Sequence, residues 1–100
     1  MGMVYDATAK LKFNEDPVLK IKDVELTVRS DADILLQLID IMQSRGEVDG
    51  AQEAVRLLFD DKDYKKLQKL RLKMDDFMEV VRLAVSLALG EDPDEKQEKN

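Results

Sequence analysis

From position 3 to position 13 every odd position is apolar, Met3, Tyr5, Ala7, Ala9, Leu11 and Phe13, while Asp6, Thr8, Lys10 and Lys12 are polar. Period two is the mark of a half-buried strand. Asn14-Glu15-Asp16-Pro17 breaks the run; Leu19 and Ile21 then keep the odd phase, whereas Val24, Leu26 and Val28 are even. A slip of one residue turns half the apolar side chains to water unless a tight turn or a bulge absorbs it at Lys22-Asp23. Taking the turn, the pattern predicts a small antiparallel meander or hairpin within residues 3–29.

Beyond Ser30 the period changes to that of helices. Ser30 stands where an N-cap belongs, with Asp31 and Asp33 in the first turn, where the helix dipole favours negative charge. The spacing predicts a first helix over 31–45, with Ile34, Leu35, Leu38, Ile39, Ile41 and Met42 on an arc of roughly 160°. Gly46 ends it, and GEVDG reads as a loop. A second helix is expected over 51–59, a third over 62–72 beginning at an Asp61 or Asp63 cap, and a fourth over 74–89 stopped by Gly90. In the fourth, residues from Phe77 to Leu89 are apolar around roughly 240° of the circumference, leaving Glu79, Arg82, Ser86 and Gly90 as a polar stripe. Either this is the central helix or part of it is exposed for a partner. The expected fold class is α+β: a small sheet, then about four helices, in one domain over 1–90 with a charged, disordered tail over 91–100.

Composition narrows the chemistry. A chain of 100 residues holds one core, built here mainly from aliphatic side chains, since only two Tyr and three Phe are present. Cysteine, histidine and tryptophan are missing, which removes thiol chemistry, the commonest general base and the commonest zinc ligand. Ser30, Ser44, Ser86, Thr8 and Thr27 have no base of the kind that activates a hydroxyl, so no enzyme and no cofactor are expected. No apolar run is long enough for a membrane span, and MGMVYDATAK lacks the layout of a signal peptide, so the expected compartment is the cytoplasm.

Two carboxylate arrangements invite a metal and neither holds up. With Gly50 at the sixth position of a calcium loop, Arg45 and Arg56 fall on the first and last ligand positions. Asp60, Asp61 and Asp63 point around a helix start rather than converging, which suits capping. The cations are more informative: Lys62, Lys65, Lys66 and Lys69 share an arc of roughly 100° opposite Tyr64, Leu67 and Leu70. This basic face, in a chain of net charge −6, could pair with an acidic protein surface or another copy. The alternative is a small regulatory protein binding nucleic acid through that helix. The acidic total and the lack of interleaved aromatics for base contact make nucleic acid the weaker candidate.

The stretch AVRLLFDDKDYKKLQKLRLKMDDFMEVVRLAVSLALGED resembles the C-terminal half of tail assembly chaperones of long-tailed bacteriophages. The resemblance lies in Leu57-Leu58, the acidic step Asp60-Asp61, a short helix with Tyr64, Leu67 and Leu70, and Asp75-Asp76-Phe77 opening a final helix. LKIKDVELTVRSDADILLQL is similar to the strand–turn–strand–helix opening of such proteins. The resemblance implies a non-enzymatic role in the bacterial host cytoplasm: binding the tape-measure protein, aiding recruitment of tail-tube subunits, and forming a homo-oligomer. It also implies the short form of a pair whose longer form arises by frameshift. On that basis the expected partner-binding residues are Phe59, Tyr64, Leu67, Leu70, Phe77 and Val81, near the helix junctions.

Overall fold

The computed structural model describes residues 2–94. Strand β1, Val18–Ile21, pairs antiparallel with β2, Val24–Thr27, in the register Ile21↔Val24 and Leu19↔Leu26. Lys22-Asp23 is therefore the two-residue turn that the phase slip predicts, and Lys22 takes φ 55° to make it. The slip puts Leu19, Ile21, Val24 and Leu26 on the face toward the core, and Val18, Lys20, Glu25 and Thr27 on the outer face. At the base of the hairpin the Val28 N–H donates to the Pro17 carbonyl (2.8 Å) and the Arg29 N–H to the Leu58 carbonyl (2.8 Å).

The third strand expected over 3–13 does not form. Residues 2–17 run outside the body as an arm whose only regular element is a 3-10 turn at Thr8–Lys10, held by Thr8 donating its N–H to Asp6 (3.0 Å). Those hydrogen bonds hold the Asp6 carboxyl below the usual carboxylate range, the Thr8 hydroxyl contributing most. The cause of the missing strand lies at 14–17. Asp16 Oδ1 accepts from both the Ser30 hydroxyl (2.6 Å) and the Ser30 N–H (3.2 Å), and Pro17 is already paired with Val28. The chain enters β1 from beyond its end, and residues 3–13 do not pair along it. The Cα radius of gyration, 16.0 Å, exceeds the roughly 13 Å of a compact chain this long, as a projecting arm requires.

The same clamp moves a helix cap. Ser30 is occupied by Asp16, so α1, Ala32–Ser44, starts at an extended Asp31 without a side-chain cap. Helix α2, Glu47–Leu58, begins four residues before the expected position, because the Gly50 N–H donates to the Gly46 carbonyl (2.7 Å) and GEVDG winds into its first turn. Glu47 and Asp49 sit at the positive end of the dipole there. Helix α3, Asp61–Lys69, is capped by Asp60 instead of Asp61 or Asp63: Asp60 accepts from the Asp63 N–H (2.8 Å). Helix α4, Met74–Ala88, ends as expected at Gly90. With φ 80° there, the Gly90 N–H reaches Leu87 O and the Glu91 N–H reaches Ser86 O (2.9 Å), closing the last carbonyls in a Schellman turn. The expected tail over 91–100 lies outside the described residues from 95 onward.

The centre of the fold is α2, which packs against α1, α3 and α4. Its inward positions, Ala51, Ala54, Val55 and Leu58, are all buried, and the small side chains let both neighbours approach closely. Helix α4 lies to one side, applying Val80, Val81, Ala84 and Ala88 to the core. Helix α3 is fixed by Asp63, a buried carboxylate that accepts the Thr27 N–H (2.9 Å) and pairs with Lys66 (3.3 Å), while Lys66 also donates to the Glu25 carbonyl (3.3 Å).

Removing that carboxylate leaves a strand N–H without its partner, so Asp63→Ala should destabilise the fold by about 1–3 kcal/mol in urea denaturation. Gly50→Ala should do the opposite. An added Cβ meets only ordinary contacts, with Arg45 Cβ the nearest at 3.6 Å. Inside a helix the change stabilises by roughly 0.5–1 kcal/mol; a loss of stability would return Gly50 to a loop.

Candidate functional site

Helix α1 uses only part of its apolar arc. Ile34 and Leu38 are buried and Leu35 and Ile41 half-buried, whereas Ile39 is 43% and Met42 58% exposed. On the wheel Leu35, Ile39 and Met42 form the row beside the one that meets α2. Helix α4 shows the same surplus: next to its packed row stand Met78 and Val85, half-buried, and Leu89, 45% exposed. At the end of α1 its Met42 meets the α4 row. Met42, Met78, Val81, Val85 and Leu89 line a groove of about 710 Å³, with Gly50, Ala51 and Ala54 of α2 at its floor.

The rim is charged in both signs. Arg45 pairs with Glu53 (3.0 Å), and Arg82 grips Glu79 with two hydrogen bonds, Nη2 to Oε2 at 2.6 Å and Nε to Oε1 at 3.0 Å. One helical turn separates Glu79 from Arg82, which brings the fork onto the carboxylate. Hydrogen bonding to Arg82 holds the Glu79 carboxyl below its ordinary range and raises the guanidinium in turn. Ser86, expected in the exposed polar stripe, is buried under the turn that Glu91 makes over the helix end. An apolar trough between salt-bridged banks suits an amphipathic segment of another polypeptide.

The six residues expected to meet a partner do not share one surface. Phe59 and Leu67 are core residues, and Val81 is buried at the groove wall. Tyr64 and Phe77 are half-buried and line two shallow depressions of about 300 and 370 Å³, the first with Leu67 and the second with Val48 and Met74. The Arg56 guanidinium lies 4.8 Å from the Tyr64 ring centre. Leu70 is half-buried at the end of α3. Groove residues Met42, Val85 and Leu89 were legible only indirectly, through apolar arcs wider than a small fold can cover.

On the basic face Lys62, Lys65 and Lys69 are exposed, but Lys66 is committed to Asp63 and Glu25. Among the described residues no group of three or more carboxylates is gathered as a metal site, and no helix is long and apolar enough to cross a membrane. The chain matches no protein-family model, no curated protein and no solved structure. Function has to be argued from the groove and the chain pattern.

If the groove is a docking surface and not unfinished core, Met42→Lys with Leu89→Lys should shift stability by no more than about 0.5 kcal/mol each. The same pair should weaken binding of an apolar fluorescent dye. Thermal melting and a dye titration on the same samples check both; a large fall in melting temperature would show that these side chains complete the core.

Proposed function

We propose that this protein is a non-enzymatic binding and assembly protein that takes an apolar helical segment of a partner into the groove between α1 and α4. The observation that carries the proposal is the uncovered apolar row of α4, Met78, Val85 and Leu89, facing Met42 of α1 across a trough floored by small residues. Helix α4 has 15 residues and so spans about 22 Å at 1.5 Å per residue, enough to lie beside four turns of a client helix. Met42 and Met78 provide unbranched, polarizable side chains that adapt to differing apolar stripes. The net charge of −6 keeps such a complex dispersed while its apolar surfaces are covered.

The resemblance to tail assembly chaperones supplies the client: a tape-measure protein, whose long apolar helices need cover in the bacterial host cytoplasm until tail-tube subunits replace the chaperone. Several copies along one client suit a self-associating protein.

Co-expression with a tape-measure fragment and pull-down at low and moderate salt tests this reading. Retention of the fragment is expected, with at least a tenfold loss for Val85→Asp while the protein's own melting curve holds its cooperative form. No retention at either salt concentration overturns the client; retention unaffected by Val85→Asp overturns the groove.

A further inference from the structure

We propose that residues 3–13 of one copy add as a strand to the open edge of β1 in a second copy. This concerns a different surface from the groove and stands or falls separately.

The register of the hairpin decides which edge is open. Val28 with Pro17, Leu26 with Leu19, and Val24 with Ile21 are the hydrogen-bonded pairs, so the N–H and C=O groups of the alternate residues point away from the partner strand. On β2 those groups belong to Glu25 and Thr27, and α3 takes two of them: Thr27 N–H by Asp63, Glu25 C=O by Lys66. On β1 they belong to Val18 and Lys20, and among the described residues no further strand pairs with them. One edge of the sheet is held by α3 and the other is open to a strand.

The arm has what the bare edge lacks. Its apolar residues alternate as a strand does, yet Met3 is 93%, Tyr5 69% and Phe13 78% exposed. Its 3-10 turn contains no buried residue and the hydrogen bonds that hold it are all local, so straightening it breaks none to the body of the fold. Antiparallel addition with Asp6 opposite Lys20 sets unlike charges across the outer face. The same register puts Tyr5 opposite Ile21 and Ala7 opposite Leu19, extending the core-facing side of the sheet. With Asp16 held by Ser30, the arm lies off the edge of its own β1, which leaves that edge open to the arm of a second copy. A long uncovered edge invites such pairing in general, and this chain carries the strand that fits it.

Sedimentation velocity over a hundredfold range of concentration tests the exchange on the full chain. Wild type should gain mass with concentration. Tyr5→Asp with Ala7→Asp, which spoils the arm, and Lys20→Pro, which blocks the edge at a position whose N–H the hairpin does not use, should each stay at one chain. Mixed in equal amounts, the two variants should form a two-chain species, because one supplies a sound edge and the other a sound arm. Asp6→Lys and Lys20→Asp should each weaken association several-fold and restore it when combined, which keeps the test valid if Lys20→Pro perturbs the hairpin. A wild type that remains one chain throughout, or self-association that survives the arm variant, overturns the proposal.

Discussion

A carboxylate with almost no water around it organises the molecule. Asp63 lies within the first turn of α3, where the Asp60 cap orients the helix, and its two oxygens reach the backbone of β2 and the Lys66 ammonium. Burying a charge is costly unless it is paired and hydrogen-bonded, so this residue specifies one position for α3 against the sheet. From that position the rest follows. Lys62, Lys65 and Lys69 turn outward while Lys66 is drawn down onto β2, α3 lies along the outer edge of β2, and the helix that follows packs against α2.

With α3 fixed, α2 must serve three neighbours at once, and its alanines suit it to that. The core is correspondingly narrow: Leu26, Val28, Leu38, Val55, Leu58 and Phe59 are its largest fully buried side chains. A centre this small cannot cover all the apolar surface that α1 and α4 bring. The residue is the trough between them, and it arises from geometry: each helix turns one row toward α2 and is left with a second row that has no internal partner. The trough has its floor in α2 and its walls in Met42 and the α4 row.

Much of this was readable from the residues. The phase slip between Ile21 and Val24 located the hairpin turn, because a strand cannot change the parity of its buried face in any gentler way. Gly90 with its following Pro93 marked the end of α4 for a comparably local reason. What escaped was set by contacts between distant positions. Asp16 and Ser30 are 14 residues apart, and their bond both withheld the first strand and left α1 without the expected cap. Alternation at 3–13 reports a capacity to be a strand, while the neighbour needed to realise it depends on the fold. Residues 46–50 looked like a loop because Gly weakens helices, yet the Gly50 N–H bonds to the Gly46 carbonyl and winds this segment into a helical turn. At the trough, the width of the apolar arcs pointed to surplus surface, but which side chains remained uncovered depended on α2 taking the centre in place of α4.

The turn at Gly90 sets the heading of whatever comes after it. By tying the Glu91 N–H to Ser86, it swings the backbone off the axis of α4 and brings Glu91 to the mouth of the trough. Any segment joined beyond this point would start at the mouth of the trough, at an effective concentration there set by the length of the connector.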